Sequence, residues 1–194
     1  MSTSRTTALV MVPPLLLAAV GLVHPQSLNG STAAHWAGLH ILLLPVFPLL
    51  TVGLLVPLWG RPRRDLAGAA TVVAWVGCFV FAAYYTGLDA VAGISAGTAA
   101  EHGATAAVHP LFARGDALGH AGVYALAVAA LATCTVLFPR HGMRVLPGAV
   151  ILFAACWSFV DSHIFWPRGV FTMLGFAVAF GLLAWAADTD AASG

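Results

Sequence analysis

Six stretches of nearly unbroken apolar residues alternate with short polar breaks along the chain: 6–23, 33–59, 66–88, 117–138, 145–160 and 170–187. A helix needs about 20 residues to cross the hydrocarbon core of a bilayer, within a range of roughly 17–25. The second, third and fourth stretches reach that length. The first, fifth and sixth are shorter and would borrow interfacial residues or thin the bilayer around them. The alternation of a transmembrane barrel is missing, and an open sheet cannot span lipid. The pattern therefore predicts an all-α, polytopic membrane helix bundle of about six transmembrane helices, with five as the alternative count. Pro13 and Pro14 fall in the first stretch, and Pro45, Pro48 and Pro57 in the second. Each removes a backbone donor and favours a kink. Arg5 before the first stretch resembles the start of a signal peptide, but no A-x-A site follows, so the stretch is read as a span.

One connection breaks the rhythm. Residues 89–115 are rich in Ala and Gly, too polar for a span and too long for a tight turn. They predict an outer loop or lid, or a short interfacial helix, lying over the bundle. Otherwise residues 1–194 read as one integral membrane domain without a repeat or a linker.

Composition narrows the class. Of 194 residues, 60% are apolar and 8% charged, and the mean hydropathy is +0.93. A soluble domain carries about 25% charged residues, so an ordinary soluble enzyme, a nucleic-acid-binding module and a disordered chain are excluded. The partners implied are the lipid bilayer and a lipophilic small molecule. Net charge is +1, and all eight basic residues are Arg. Without Lys there is neither a retinal Schiff base nor a P-loop. Cys78, Cys134 and Cys156 lie inside apolar runs without CxxC spacing and read as buried hydrophobes.

Arg placement sets the orientation. With six spans, Arg5, Arg61, Arg63, Arg64, Arg140 and Arg144 share a side with the termini, against Arg114 and Arg168 on the other. That bias predicts a multi-pass plasma-membrane protein with cytoplasmic termini, the Asp188/Asp190 tail included. His24, His35, His40, His102, His109, His120 and His163 then fall on the outer side, and only His141 on the inner one. Asp89, Glu101, Asp116 and Asp161 are outer as well. Ionisable residues at the ends of apolar segments are costly and mark candidate sites.

Helical spacing groups these residues. Asp116, His120 and Tyr124 stand at i, i+4 and i+8. Tyr85 and Asp89 form an i, i+4 pair, as do Trp157 and Asp161, with His163 just beyond, and His40 with Trp36. His40 lies about 7.5 Å deeper than His35 at the helical rise. Four segments thus bring Asp or His to one depth, the construction of a bundle-core site.

Two chemistries suit that site. The first is Asp/His acid–base catalysis on an isoprenoid- or lipid-like substrate, such as protonation-started cyclisation or isomerisation. Asp89, Asp116, Asp161, His120, His163 and Tyr124 would be catalytic, and Trp36, Tyr85, Trp157 and Trp166 would line the substrate pocket. No cofactor is needed there. The second is a haem or first-row transition-metal centre, with ligands from His35, His40, His120 and His163, and His40 and His120 as the axial pair for haem. His24, His102 and His109 read as interfacial or loop residues. A small transporter or accessory subunit is a third reading, weakened because 69–76 and 125–131 are almost wholly apolar where a transporter needs polar groups. Gly93-Ile94-Ser95-Ala96-Gly97 matches G-x-S-x-G but has no strand before it, so a nucleophile elbow is not expected.

Overall fold

The computed structural model describes residues 3–59 and 64–188, so Arg61, Arg63 and Asp190 lie outside the described residues. The order is α1 (Thr3–Gly21), α2 (Ala33–Leu43), a 3₁₀ turn (Phe47–Thr51), α3 (Val52–Leu55), a second 3₁₀ turn (Val56–Leu58), α4 (Leu66–Leu88), a π-helix (Asp89–Ser95), α5 (Ala96–Glu101), α6 (Thr105–His141), a 3₁₀ turn (Gly142–Val145), α7 (Leu146–Ser162) and α8 (Arg168–Asp188). No strand is present among the described residues. All six apolar stretches are helical.

The prolines of the second stretch act where expected, whereas Pro13 and Pro14 sit inside an unbroken α1. Around Pro45 and Pro48 the second stretch breaks into 3₁₀ turns and bends by 41°. α4 starts on a side-chain cap, Asp65 accepting from the Gly68 N–H at 2.9 Å. Among the described residues three helical runs are long and apolar enough to cross a bilayer, four if the bent pair is one span, rather than a firm six. The run Thr105–Ser162 folds back on itself. His120 and Asp161 stand 3.8 Å apart, whereas 41 residues of straight helix would separate them by roughly 60 Å. The reversal sits at Gly142, whose φ of 58° suits glycine.

Residues 89–115 are helical almost throughout, as the short-helix alternative has it, and do not form an open loop. α4 runs on through the π-helix into α5, and after a turn at Gly103 (φ 72°) α6 begins at Thr105. Asp89 and Asp116 therefore lie inside continuous helix. Alanine, the best helix former, outweighs the local polarity. α4 packs most extensively on α6, and α8 on both α1 and α7. Phe47, Phe81, Phe159, Phe176 and Phe180 fill the core between them. Leu42, Phe79, Val150, Trp157 and Phe171 point outward, a surface compatible with contact with lipid.

Gly93-x-x-x-Gly97 has a packing role. A Cβ on Gly93 would overlap the His40 ring, and one on Gly97 would press on Ala37 at 2.9 Å. The pair lets the π-helix and α5 lie against α2, as small-xxx-small seams do between membrane helices. Ser95 bonds the Ala90 carbonyl at 2.8 Å inside that helix, so no elbow forms.

Candidate metal centre

Three histidines from three parts of the chain meet at one end of the bundle. His24 follows α1, His40 is on α2 and His163 follows α7. One ring nitrogen from each lies within 4.8 Å of the other two. Ring centroids are 5.1 Å apart for His24–His40, 5.8 Å for His40–His163 and 6.1 Å for His24–His163. Gly21 permits this convergence, since a Cβ there would strike the Ile164 carbonyl oxygen. The turn carrying His163 thereby sits directly against the end of α1. His163 itself has φ 43°, a left-handed conformation costing about 1–3 kcal/mol for a residue with a side chain.

Hydrogen bonds orient each ring. His24 Nδ1 meets the Pro25 carbonyl at 2.9 Å, and His40 Nδ1 meets the Trp36 carbonyl at 2.8 Å. A carbonyl only accepts, so Nδ1 carries a proton, and in the neutral ring Nε2 then keeps its lone pair. His163 Nδ1 meets the Tyr85 hydroxyl at 2.9 Å, and a hydroxyl that accepts from Nδ1–H leaves that Nε2 free too. Nε2 of His24 and of His163 has no partner among the described residues. Metal-ligating histidines are held in the same way, by a hydrogen bond on the nitrogen away from the ion.

Aromatic rings enclose the cluster. Trp36 stacks on His40 at 5.3 Å, and its Nε1 donates to the Ala92 carbonyl at 3.2 Å. Phe165 lies 4.8 Å from His24 and 5.2 Å from His163, and Phe47 is 5.1 Å from His163. Burial pushes His24 down to about 4, with His40 and His35 adding to the effect. Burial and then the neighbouring His40 and His24 hold His163 well below the ordinary histidine range. Both therefore stay neutral near pH 7, the form that ligates. Asp89, one turn beyond Tyr85, is fully buried, and neither carboxyl oxygen has a hydrogen-bond partner among the described residues.

A cavity of about 280 Å³ shares a wall with the cluster. It is lined by Tyr85, Leu88, Asp116, Gly119, His120, Val123, Phe159, Val160, Asp161, His163 and Phe165. His120 Nε2 faces Asp161 Oδ1 at 3.8 Å, with both side chains largely in the open. Such an exposed pair contributes little stability. A larger groove of about 720 Å³, between Pro48, Leu55, Trp75 and Phe79, is apolar and has no charged or histidine side chain.

The structure sorts the predicted site residues. His40, His163, Tyr85 and Trp36 come together at the cluster. Asp116, His120, Asp161, His163 and Tyr85 share the cavity. His35 does not join them: five residues from His40 it lies about 140° around α2 and is exposed. His120 stands at the cavity with Asp161 and is not part of the three-histidine group. Tyr124 is two turns along from Asp116, has drifted off the cavity face and is exposed. Trp157 is 80% exposed and Trp166 packs on Phe171, so neither lines the cavity. Arg168 donates to Ser158 at 3.3 Å, and the partner of Asp161 is His120. His24, read as interfacial, is a member of the cluster. A histidine beside a proline in a turn gives no sign of what it will face. His102 and His109 are exposed. Comparison with family models, characterised proteins and solved structures returns no match.

Proposed function

We propose that the protein is a membrane-embedded metal-dependent enzyme, with one first-row transition-metal ion held by His24, His40 and His163. The observation carrying this reading is the convergence of three imidazoles whose Nδ1 atoms are engaged elsewhere. Ligands around a tetrahedral ion stand about 3.4 Å apart, so each nitrogen need move inward by at most about 0.8 Å. Three protein ligands leave a coordination position open, the pattern of catalytic rather than structural sites. A water bound there would ionise near neutral pH and serve as base or nucleophile. Leu88, Val123, Phe159, Val160 and Phe165 in the adjoining cavity suit the apolar part of a lipophilic substrate, and Asp116, His120 and Asp161 a polar group on it. A discrete ion fits better than haem, because Trp36, Phe47 and Phe165 pack where a macrocycle would extend. The Arg distribution supports an orientation with this centre toward the outer face of its membrane, and we assign that membrane as the plasma membrane.

One observation favours a second reading. Asp116, His120 and Asp161 share the cavity, which suits metal-free acid–base chemistry on an isoprenoid-like substrate. Elemental analysis of purified protein separates the two. One equivalent of metal in the wild type, lost in His24→Ala, His40→Ala and His163→Ala but kept in His35→Ala, is the expected result. Wild-type protein that holds no metal after challenge with zinc, copper and cobalt would overturn the metal reading.

A further inference from the structure

The centre is buried, and an ion must still reach it. His24 and His40 are 3% and 2% exposed, and the surrounding helices present apolar walls that a bare or hydrated cation cannot cross. The cavity offers a route, because exposure falls along it. At its mouth Asp161 is 65% and His120 44% exposed, with Asp116 also in the open. At its depth lie Tyr85, 2% exposed, and His163, hydrogen-bonded to it. His163 is thus both a wall of the cavity and a member of the three-histidine group.

We propose that this cavity is the loading path of the metal centre, with Asp116, His120 and Asp161 as a transient capture site for a divalent transition-metal ion. The proposal rests on the three-histidine reading above. A nitrogen and an oxygen 3.8 Å apart can both touch one ion at about 2.1 Å each, which His120 Nε2 and Asp161 Oδ1 satisfy as they stand. Asp116 precedes His120 by one helical turn and lines the same cavity, bringing a second carboxylate to it. His120 and Asp161 offer the ion two wet, exchangeable ligands, and the Asp116 carboxylate elsewhere on the cavity wall adds to the attraction of cations to the mouth. Inside, pre-oriented imidazoles bind more tightly, so the ion passes inward by way of His163.

The test is stopped-flow loading of the chelator-stripped full chain in detergent with cobalt(II), read by the visible bands of histidine-ligated cobalt. Asp116→Asn/Asp161→Asn and His120→Gln are expected to slow loading tenfold or more at low salt while the final uptake stays at one cobalt. Asp161→Glu is expected to keep the fast rate, and added salt to slow the wild type toward the double variant. Variants that load at the wild-type rate would overturn the proposal. So would variants whose final stoichiometry falls in proportion, because the carboxylates would then belong to the resting site. A wild type that takes up no cobalt would fail the three-histidine reading itself, a result distinct from either.

Discussion

Replacing Gly93 with alanine would put a methyl group into the space of the His40 ring. The new Cβ would lie closer to His40 Cβ, Cγ and Cδ2 than the 3.0 Å that Cβ contacts essentially never breach. The ring has little freedom to yield. Its Nδ1 is tied to the Trp36 carbonyl at 2.8 Å, and Trp36 stacks on it at 5.3 Å. Restoring contact distance requires a displacement of roughly 1 Å, against a tolerance of about 0.2 Å in metal–ligand distances. Overpacking of this kind costs about 1–3 kcal/mol. If that strain falls on the bound state, metal affinity drops about tenfold to a hundredfold, at 1.4 kcal/mol per decade. The control is Gly38→Ala, two residues before His40 on α2, where an added Cβ meets nothing within 4 Å. Competition against a chromophoric chelator measures both variants, with circular dichroism to verify helix content. A folded Gly93→Ala protein with affinity within threefold of wild type would refute the steric argument, and with it the placement of His40 in the centre.

Two more outcomes follow from buried groups. Asp89→Leu removes a carboxyl group that no described residue satisfies, and an unsatisfied buried polar group costs about 1–3 kcal/mol. The variant is expected to melt a few degrees higher, and a lower Tm would show that Asp89 has a stabilising partner. In metal-free protein, His24 titrates at about 4 when folded and near 6.5 when unfolded. The unfolded chain therefore binds more protons between these values. The His24 contribution is intact above about pH 6.5 and is lost as pH falls toward 4, to a total of about 3 kcal/mol. Denaturant titrations across that window are expected to flatten in His24→Asn, and an unchanged slope would sink the assignment.

The apolar runs made the helices legible, because about 20 such residues in succession have no other solution in lipid. Tyr85 and Asp89 were legible as a pair by their i, i+4 spacing, and His40 by the phase it shares with Trp36. His24 was not legible, because local pattern says nothing about a turn that tertiary packing seals. His35 and His40 had equal claims by composition, and only their angular separation on α2 decides between them. Residues 89–115 left loop and short helix open, because hydropathy reports burial in lipid and not helix propensity. An Ala-rich segment stays helical whether or not lipid surrounds it.

The length of α6 has a bearing on where chemistry can happen. Its 37 residues extend about 55 Å, well beyond the roughly 30 Å of a hydrocarbon core. Counted back from His141, about 20 residues exhaust that thickness near Ala121. Asp116 and His120 then stand just past the boundary, in the zone where headgroups and water mix. A molecule dissolved in the acyl chains and an ion dissolved in water could reach the same opening from opposite directions. Bilayer thickness becomes a variable of the site: a thicker membrane would submerge those two side chains, and a thinner one would flood them.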